Sequence, residues 1–447
     1  MTCRFTRSYS TKVTCNIDSA FDEKIKENYS NSKKHSGIMS LKCTSIPEPI
    51  LKGIYSVLEK KDVKTLVSDG EILSRYLTQR LPPPEKSEKR KKKEEIIDSM
   101  KNNTNFQTLS NDVITKYAKK ILKNQLYNWK PITYNKNLAL QYLVMRSPAE
   151  FGVLCRVFNE IYLRDKNFAP KRLFDFGSGV GTTVWAANEY WKESMKEYYC
   201  VDSSMEMHKL AELVLQNNDP YSLPMIKNVY YRQFLPATCI PSDIVVSSFS
   251  LFESSSCLER LKLLTTLWNN TLEYLVLIEN GSFAGYSLLN EARTFILEIS
   301  EKFNVKCYIF APCPHELTCP RFEATEKSIP CNFSIKYKHL NVYKYRNSTE
   351  NHKFSFLIFK KGEDSPMENR SPRIVKEVLL RRNHVVCNVC TSKGQLKTLV
   401  STKNQHGSSA YKCLKHSKWG DLIPEGISFD FIEEEKLNEE NYEEKDE

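Results

Sequence analysis

Between Leu173 and Thr183 the chain reads Leu-Phe-Asp-Phe-Gly-Ser-Gly-Val-Gly-Thr-Thr. An acid, Asp175, sits inside a short apolar run, and glycines follow at alternate positions, Gly177, Gly179 and Gly181. Glycine lets a backbone pass close to a ligand, and the helix start beyond it offers N–H groups. Twenty-five residues after Gly177, the apolar run Tyr198-Tyr-Cys-Val-Asp202 ends in a second acid. A carboxylate at that place can accept both ribose hydroxyls of an adenosine-bearing ligand. Strand, glycine turn, helix and acid-terminated strand form the entry to a doubly wound α/β nucleotide-binding fold. A turn that merely connects strand to helix is the plainer alternative, and Asp202 speaks against it.

A second group of reactive side chains comes late. Phe310-Ala-Pro-Cys-Pro-His-Glu-Leu-Thr-Cys-Pro320 presents Cys313 and Cys319 on one loop, each followed by a stiffening proline. Cys331 follows, then Cys387-Asn-Val-Cys390. Thiolates at fixed loop positions suit a soft metal or an iron–sulfur cluster. Four ligands are at hand in Cys313, Cys319, Cys331 and one of the final pair. Cys387-x-x-Cys390 also has zinc-knuckle spacing, with Cys413, His384 or His315 as further donors. Reduced, buried thiols are the third reading, and Cys155, Cys200, Cys239 and Cys257 fit it, lying in apolar stretches. Spacing leaves zinc and iron–sulfur equally open.

The elements that position these groups follow from periodicity. Ile50, Ile54, Val57 and Leu58 repeat at helical spacing, and Leu81-Pro-Pro-Pro84 then breaks the chain. Lys86 to Glu95, with six basic residues and three acids, reads as an exposed linker. Helical patterns return with Val113, Tyr117, Ile121 and Leu122, and continue through Ile161. Apolar runs at 243–248, 274–279 and 354–359 supply later strands of an α/β core. The expected domains are a leader at 1–17, an N-terminal helical segment and charged linker at 18–95, and a helical subdomain at 96–168. An α/β domain at 169–362 follows, with a cysteine insertion at 307–345, then a basic segment at 363–424 and an acidic tail at 425–447.

Charge separates the ends of the chain. The formal net charge is +11, but Glu433 to Glu447 carries −7, so the remainder carries +18. An excess of that size suggests a polyanionic partner such as nucleic acid. Ser371 to Trp419 holds ten Lys or Arg against the single acid Glu377, and a solvated basic face is the alternative there. The first seventeen residues contain Arg4, Arg7 and Lys12 and no acid, the composition of a mitochondrial transit peptide, with a processing site after Tyr9. No apolar run is long enough to span a membrane.

The glycine loop, Tyr142-Leu-x-x-Arg146-x-Pro148, the proline-rich cysteine motif and Tyr411-Lys-Cys-x5-Trp419-Gly-Asp421 together resemble the methyltransferase-like protein 17 family. These are methyltransferase-like assembly factors of the mitochondrial small ribosomal subunit, and the resemblance covers roughly residues 100 to 424. It implies a class I S-adenosylmethionine-dependent methyltransferase-like fold, with that cofactor at Asp175, Gly177, Gly179, Gly181 and Asp202. It also implies a [4Fe–4S] cluster on Cys313, Cys319, Cys331 and Cys390. Cys390 rather than Cys387 is the family's ligand, as the second cysteine of the pattern beginning at His384. The implied setting is the mitochondrial matrix, as a monomer bound to the small subunit and its rRNA.

Amino-directed nucleic-acid methyltransferases usually carry an Asp/Asn-Pro-Pro-aromatic clamp where this chain has Ser248-Phe-Ser-Leu-Phe-Glu253. Glu253 reads as a loop acid, with a general-base role as the sharper alternative. Glu279-Asn-Gly-Ser-Phe-Ala-Gly285 likewise replaces a more usual Glu-Pro-Gly-Thr-Pro run. Binding without methyl transfer is therefore the expectation, and no catalytic residue is assigned. An active rRNA methyltransferase and a zinc-stabilised binding module are the alternatives.

Overall fold

Among the described residues of the computed structural model (13–17, 32–102, 110–125, 127, 129–323, 329–363 and 370–431), the first element is strand β1, Val13–Ile17. The chain divides into two units, a larger one of residues 39–367 and a smaller one combining 1–38 with 368–447. The rest of the expected leader, residues 1–12, lies outside the described residues. Within the expected leader range of 1–17, residues 13–17 form a paired strand.

The larger unit opens with α1 (Glu48–Leu58), which buries Ile50, Ile54, Val57 and Leu58 as the periodicity requires. In α2 (Val63–Gln79) the cap is Asp62, whose carboxylate accepts the Thr65 N–H at 3.3 Å. The three prolines then stop the chain, but the charged stretch after them is a helix, α3 (Lys86–Lys101). Lys, Arg and Glu are good helix formers, and Arg90 pairs with Glu94 at i,i+4. The linker expectation is thereby corrected. Ile96, Ile97 and Met100 of α3 pack on Ile114, Ala118 and Ile121 of α4 (Asn111–Gln125). The buried stripe of α4 is thus rotated one residue from the Val113/Tyr117 face, which is exposed. Asn135 caps α5 (Lys136–Met145), and Arg146 joins it directly to α6 (Ser147–Arg164), whose early Pro148 lacks only an N–H that the first turn leaves unused.

The α/β core follows. Strands β2 (Arg172–Phe176), β3 (Glu197–Val201), β4 (Val229–Arg232), β5 (Ser242–Ser248) and β6 (Thr271–Asn280) run parallel, in the order β4-β3-β2-β5-β6. Helices α7 (Thr182–Trp191), α8 (Met205–Leu215) and α9 (Cys257–Asn270) make the crossovers, and α10 (Phe283–Lys302) leads out of β6. The expected insertion at 307–345 contributes two strands of the same sheet, β7 (Cys307–Ala311) and β8 (Phe333–Lys338). Both pair antiparallel with the long β9 (Thr349–Lys361), which itself lies antiparallel against β6. Phe174, Val245, Leu275, Leu277 and Phe359 fill one face against Leu264, Leu267, Trp268, Leu288 and Ile296. This is the doubly wound α/β class, with N-terminal helices, that the sequence led us to expect.

The smaller unit is a separate β-rich fold. Strand β12 (His384–Cys390) is central, paired with β10 (Arg373–Ile374), β11 (Leu379–Leu380) and β13 (Leu396–Thr402). Helix α11 (Ser408–His416) packs Tyr411, Cys413 and Leu414 against Val385, Cys387, Val389 and Leu399. β14 (Ile427–Phe431) pairs with β1, so the expected tail contains a strand; residues 432–447 lie outside the described set.

A strand alternates its faces, so Cys387 and Cys390, three apart, point to opposite sides of β12. Cys387 faces the apolar core, and burial pushes its thiol up to about 12. Replacing Cys387 with Ser buries a hydroxyl in that core and should destabilise the smaller unit by about 1–3 kcal/mol. Thermal unfolding of the variant checks this, and an unchanged transition would contradict the packing.

Candidate cofactor crevice and cysteine loop

The glycine run bridges β2 and α7. Gly177, Gly179 and Gly181 all have left-handed backbones, with φ of 73°, 51° and 88°. At Gly177 space is a further constraint, since a Cβ would stand 2.6 Å from the Ser250 Cβ. Gly177 N–H and Ser178 N–H donate to the Val201 carbonyl at 2.7 and 3.1 Å, which draws the loop onto the end of β3. The Asp202 carboxylate completes the clasp. One oxygen accepts Gly179 N–H at 2.9 Å and the other Ser204 N–H at 2.8 Å. A carboxylate has about four acceptor positions, so capacity for two hydroxyls remains.

Asp175 lies beneath the loop, fully buried, and neither carboxyl oxygen has a hydrogen-bond partner. Burial pushes its carboxyl up to about 8; the Thr183 hydroxyl opposes that shift without completing a hydrogen bond, and Asp202 and Glu150 push it further up. Ser178 and Thr183 hydroxyls are likewise sealed without partners.

Two arginines from the N-terminal helices meet the acids of the crevice. Arg80, just past α2 and 2% exposed, pairs with Glu253 and donates to the Lys130 carbonyl at 2.8 Å. Glu253 is therefore engaged, and burial raises its carboxyl despite the arginine. Arg146 donates to Glu150 at 3.2 Å, and Tyr142 hydroxyl donates to the same oxygen at 2.6 Å. Glu279 is buried at the end of β6, accepts Leu251 N–H at 2.8 Å, and is pushed up to about 8 by burial. Trp129 donates its indole N–H to the Phe252 carbonyl, and Ser204 its hydroxyl to the Tyr134 carbonyl. Since β2 lies between β3 and β5, residues 129–134 cross over the glycine loop. Sequence reasoning found the loop and both aspartates. It missed Arg80, Glu150 and the strap, whose partners are distant in the chain.

This donor set answers which ligand fits. A glycine loop can cradle a pyrophosphate, but Asp202 stands at this one, while Arg80 and Arg146 are taken up by Glu253 and Glu150 and so leave no cation facing it among the residues described above. Such a field disfavours phosphates and suits hydroxyls beside a cationic centre.

On the other side of β6, Cys313, Cys319 and Cys331 lie around the Tyr286 hydroxyl, which is 3.0 Å from the Cys319 sulfur. Burial and the surrounding thiols push that hydroxyl well above its usual range. Arg293 fixes the loop by donating to the His315 and Leu317 carbonyls, and Ser355 donates to the Cys331 carbonyl at 2.8 Å. The interval 324–328 lies outside the described residues. Among the described residues no group of three or more His, Cys, Asp or Glu side chains is already arranged to hold a metal ion. Cys390 belongs to the smaller unit, on the face of β12 opposite Cys387.

The buried Asp175 gives a pH signature. Its folded carboxyl stays protonated up to about pH 8, whereas the unfolded one ionises near 4. Stability is therefore complete below pH 4 and lost as pH rises towards 8. Ligand-free Asp175→Asn should be more stable than wild type at pH 8, by a few kcal/mol at most, with the gap closing towards pH 4. Melting curves across that range check it, and a gap independent of pH would remove the argument.

Comparisons with known proteins identify relatives of this chain. Residues 136–424 match the family described as mitochondrial small ribosomal subunit Rsm22. The chain is 35% identical over 397 residues to the human ribosome assembly protein METTL17, mitochondrial, covering 88% of this chain and 85% of that protein. It is 26% identical over 324 residues to the Rsm22-cox11 tandem protein 2, mitochondrial, of Schizosaccharomyces pombe, covering 64% of this chain and 43% of that one. Among solved structures, a SAM-dependent methyltransferase from Aquifex aeolicus aligns at 17% identity over 40% of this chain and 92% of its own, with a TM-score of 0.29. Magnesium protoporphyrin IX methyltransferase from Synechocystis with bound SAM aligns at 13% identity over 60% and 97%, with a TM-score of 0.31. With its match spanning well over half its length and a relative at 35% identity, the chain belongs to the METTL17/Rsm22 family.

Proposed function

We propose that this protein is an assembly factor of the mitochondrial small ribosomal subunit, acting in the matrix after loss of a leader ending near Tyr9. The carrying observation is its likeness, over most of both chains, to a mitochondrial ribosome assembly protein. The glycine loop holds S-adenosylmethionine, with Asp202 taking the ribose hydroxyls and the acidic crevice favouring the sulfonium and ammonium charges. Methyl transfer is not part of the role, a reading supported by Glu253, which pairs with Arg80 instead of standing free as a base. Cys313, Cys319, Cys331 and Cys390 hold a [4Fe–4S] cluster. The thiols gathered at Tyr286 support the first three, and the place of the buried Cys390 on the face of β12 opposite Cys387 supports the fourth. When present, the cluster supplies a rigid inorganic core and no step of bond making.

The rRNA contact falls on the smaller unit. Lys376, Arg381, Arg382, Lys393, Lys403, Lys412, Lys415 and Lys418 are exposed, which suits phosphate neutralisation. Arg373 leaves that group, being buried and donating to the Gly420 carbonyl at 2.8 Å.

Protein purified without oxygen should be brown and contain about four irons per chain. Cys313→Ser, Cys319→Ser and Cys390→Ser should each abolish the colour, while Cys413→Ser should keep it. Zinc without iron would favour the binding-module alternative. Titration calorimetry should detect S-adenosylmethionine binding that Asp202→Ala weakens by about 1.5–3 kcal/mol per lost hydrogen bond. Tritiated methyl transfer to small-subunit rRNA should stay at background; turnover dependent on Asp202 would establish an active methyltransferase.

For rRNA, replacing Lys412, Lys415 and Lys418 with Gln should flatten the slope of log affinity against log salt by about 1 per lost contact. An unchanged slope would move the RNA surface elsewhere, α3 being the next basic element.

A further inference from the structure

One in-register row crosses the sheet of the larger unit. Leu275, Val245, Phe174, Tyr199 and Tyr230 are paired neighbours on β6, β5, β2, β3 and β4, and neighbours of that kind share a face. Helices α9 and α10 bury the row as far as Phe174. Beyond it the cover runs out. Tyr199 stacks on Phe174 with ring centroids 5.6 Å apart and is only partly buried, and Tyr230, on the edge strand β4, is 43% exposed. Arg232, two residues on, is exposed on the same face.

The loops on either side of β4 add rings that the fold holds outward. Before the strand Tyr221 is 98% exposed, yet its turn is fastened. The Asp219 carboxylate accepts Tyr221 N–H at 3.1 Å and the Ser222 hydroxyl at 2.6 Å, and Gln216 donates to the Ser222 carbonyl at 3.1 Å. After the strand, Leu235 and Ile240 pack inward on the core and leave Phe234 79% exposed. Rings grouped along one edge mark an interaction surface, whereas scattered ones would need no explanation.

Spacing and charge select the occupant. Tyr221, Tyr230 and Phe234 make no ring contact with one another among the described residues, and the polar Asn228, Arg232 and Gln233 lie between them in the chain. A protein partner needs a continuous apolar centre, whereas bases stack on separate ring faces. From Pro220 to Pro241 there are two cations, Lys227 and Arg232, and no acid. Arg232 donates to the Tyr231 carbonyl at 3.1 Å, which holds the side chain without neutralising it. Of the flanking acids, Glu197 pairs with Arg172 and Glu206 with Lys209. Asp219 is turned into its own loop, Asp202 holds the Gly179 and Ser204 N–H groups, and Glu212 lies on the opposite face, beside Tyr231.

We infer that the β4 edge binds unpaired nucleotides of RNA, whose bases stack on Tyr221, Tyr230 and Phe234 while Lys227 and Arg232 meet the phosphates. This surface is additional to the lysines of the smaller unit and rests on the rRNA reading above.

Fluorescence anisotropy of the full-length protein with a labelled single-stranded oligouridylate, and with a duplex of the same length, tests the assignment. The single strand should bind more tightly, because duplex bases are already stacked on one another. Tyr221→Ala and Phe234→Ala should each weaken its binding about tenfold without changing the slope of log affinity against log salt. Lys227→Gln with Arg232→Gln should instead flatten that slope. Phe234→Trp should retain affinity and Phe234→Leu should not, which separates stacking from plain apolar contact. These side chains are exposed, and an unchanged melting curve checks that each variant folds. Ring variants that bind RNA as the wild type does, while replacing Lys412, Lys415 and Lys418 still weakens it, overturn this inference and leave the rRNA reading standing. Wild-type protein that binds no RNA overturns both. Ring variants that keep RNA affinity but lose attachment to small-subunit particles place a protein on this face, which also overturns the inference.

Discussion

The carboxyl ends of β2, β3, β5 and β6 bring Asp175, Asp202, Glu253 and Glu279 into one crevice, and α6 adds Glu150. Carboxyl groups taken from water raise their own protonation energy and repel one another, so the sheet alone could not hold this set charged. The chain offsets it in two ways. Asp175 and Glu279 are buried deeply enough to stay neutral through most of the physiological range. Glu150 and Glu253 receive Arg146 and Arg80. Both arginines come from the N-terminal helices, which makes those helices part of the site rather than an appendage.

That dependence explains the rigidity around the glycine loop. Arg80 pairs with Glu253 and also holds the Lys130 carbonyl, so one side chain fixes both the loop after β5 and the strap at 129–134. Trp129 and Tyr134 anchor the strap at its two ends. Breaking such a pair by removing one partner costs about 3–5 kcal/mol when both are fully buried; the partial exposure of Glu253 reduces that here. Glu253 could act as a base only by surrendering Arg80.

Legibility in the sequence followed the range of the interaction. The glycine loop, the strand runs at 243–248, 274–279 and 354–359, and Asp202 were readable because backbone sterics and strand length are local properties. Arg80 and Glu253 are 173 residues apart, and no spacing rule connects them. The charged stretch at Lys86 misled for another reason: prolines signalled a break, and the high helix propensity of Lys, Arg and Glu was outweighed in that reading. On α4 the apolar stripe was ambiguous by one residue, since Val113 and Ile114 are both apolar and only the packing of α3 decides between them. Cys387-x-x-Cys390 looked like a knuckle until β12 was known to be a strand. A turn would bring two such thiols together, and a strand separates them.

The Asp202 clasp bears on affinity more than on chemistry. With Gly179 and Ser204 N–H groups already on its two oxygens, the carboxylate is oriented before any ligand arrives. A ribose would meet acceptor positions that need little reordering, so less of the interaction is lost to immobilising the loop. The left-handed glycines act in the same direction, because their conformations are already fixed by the Val201 carbonyl. Preorganisation of this kind strengthens ground-state binding and does not by itself stabilise a transition state. With the strap also tied to the loops after β3 and β5, the crevice is ordered for ground-state binding.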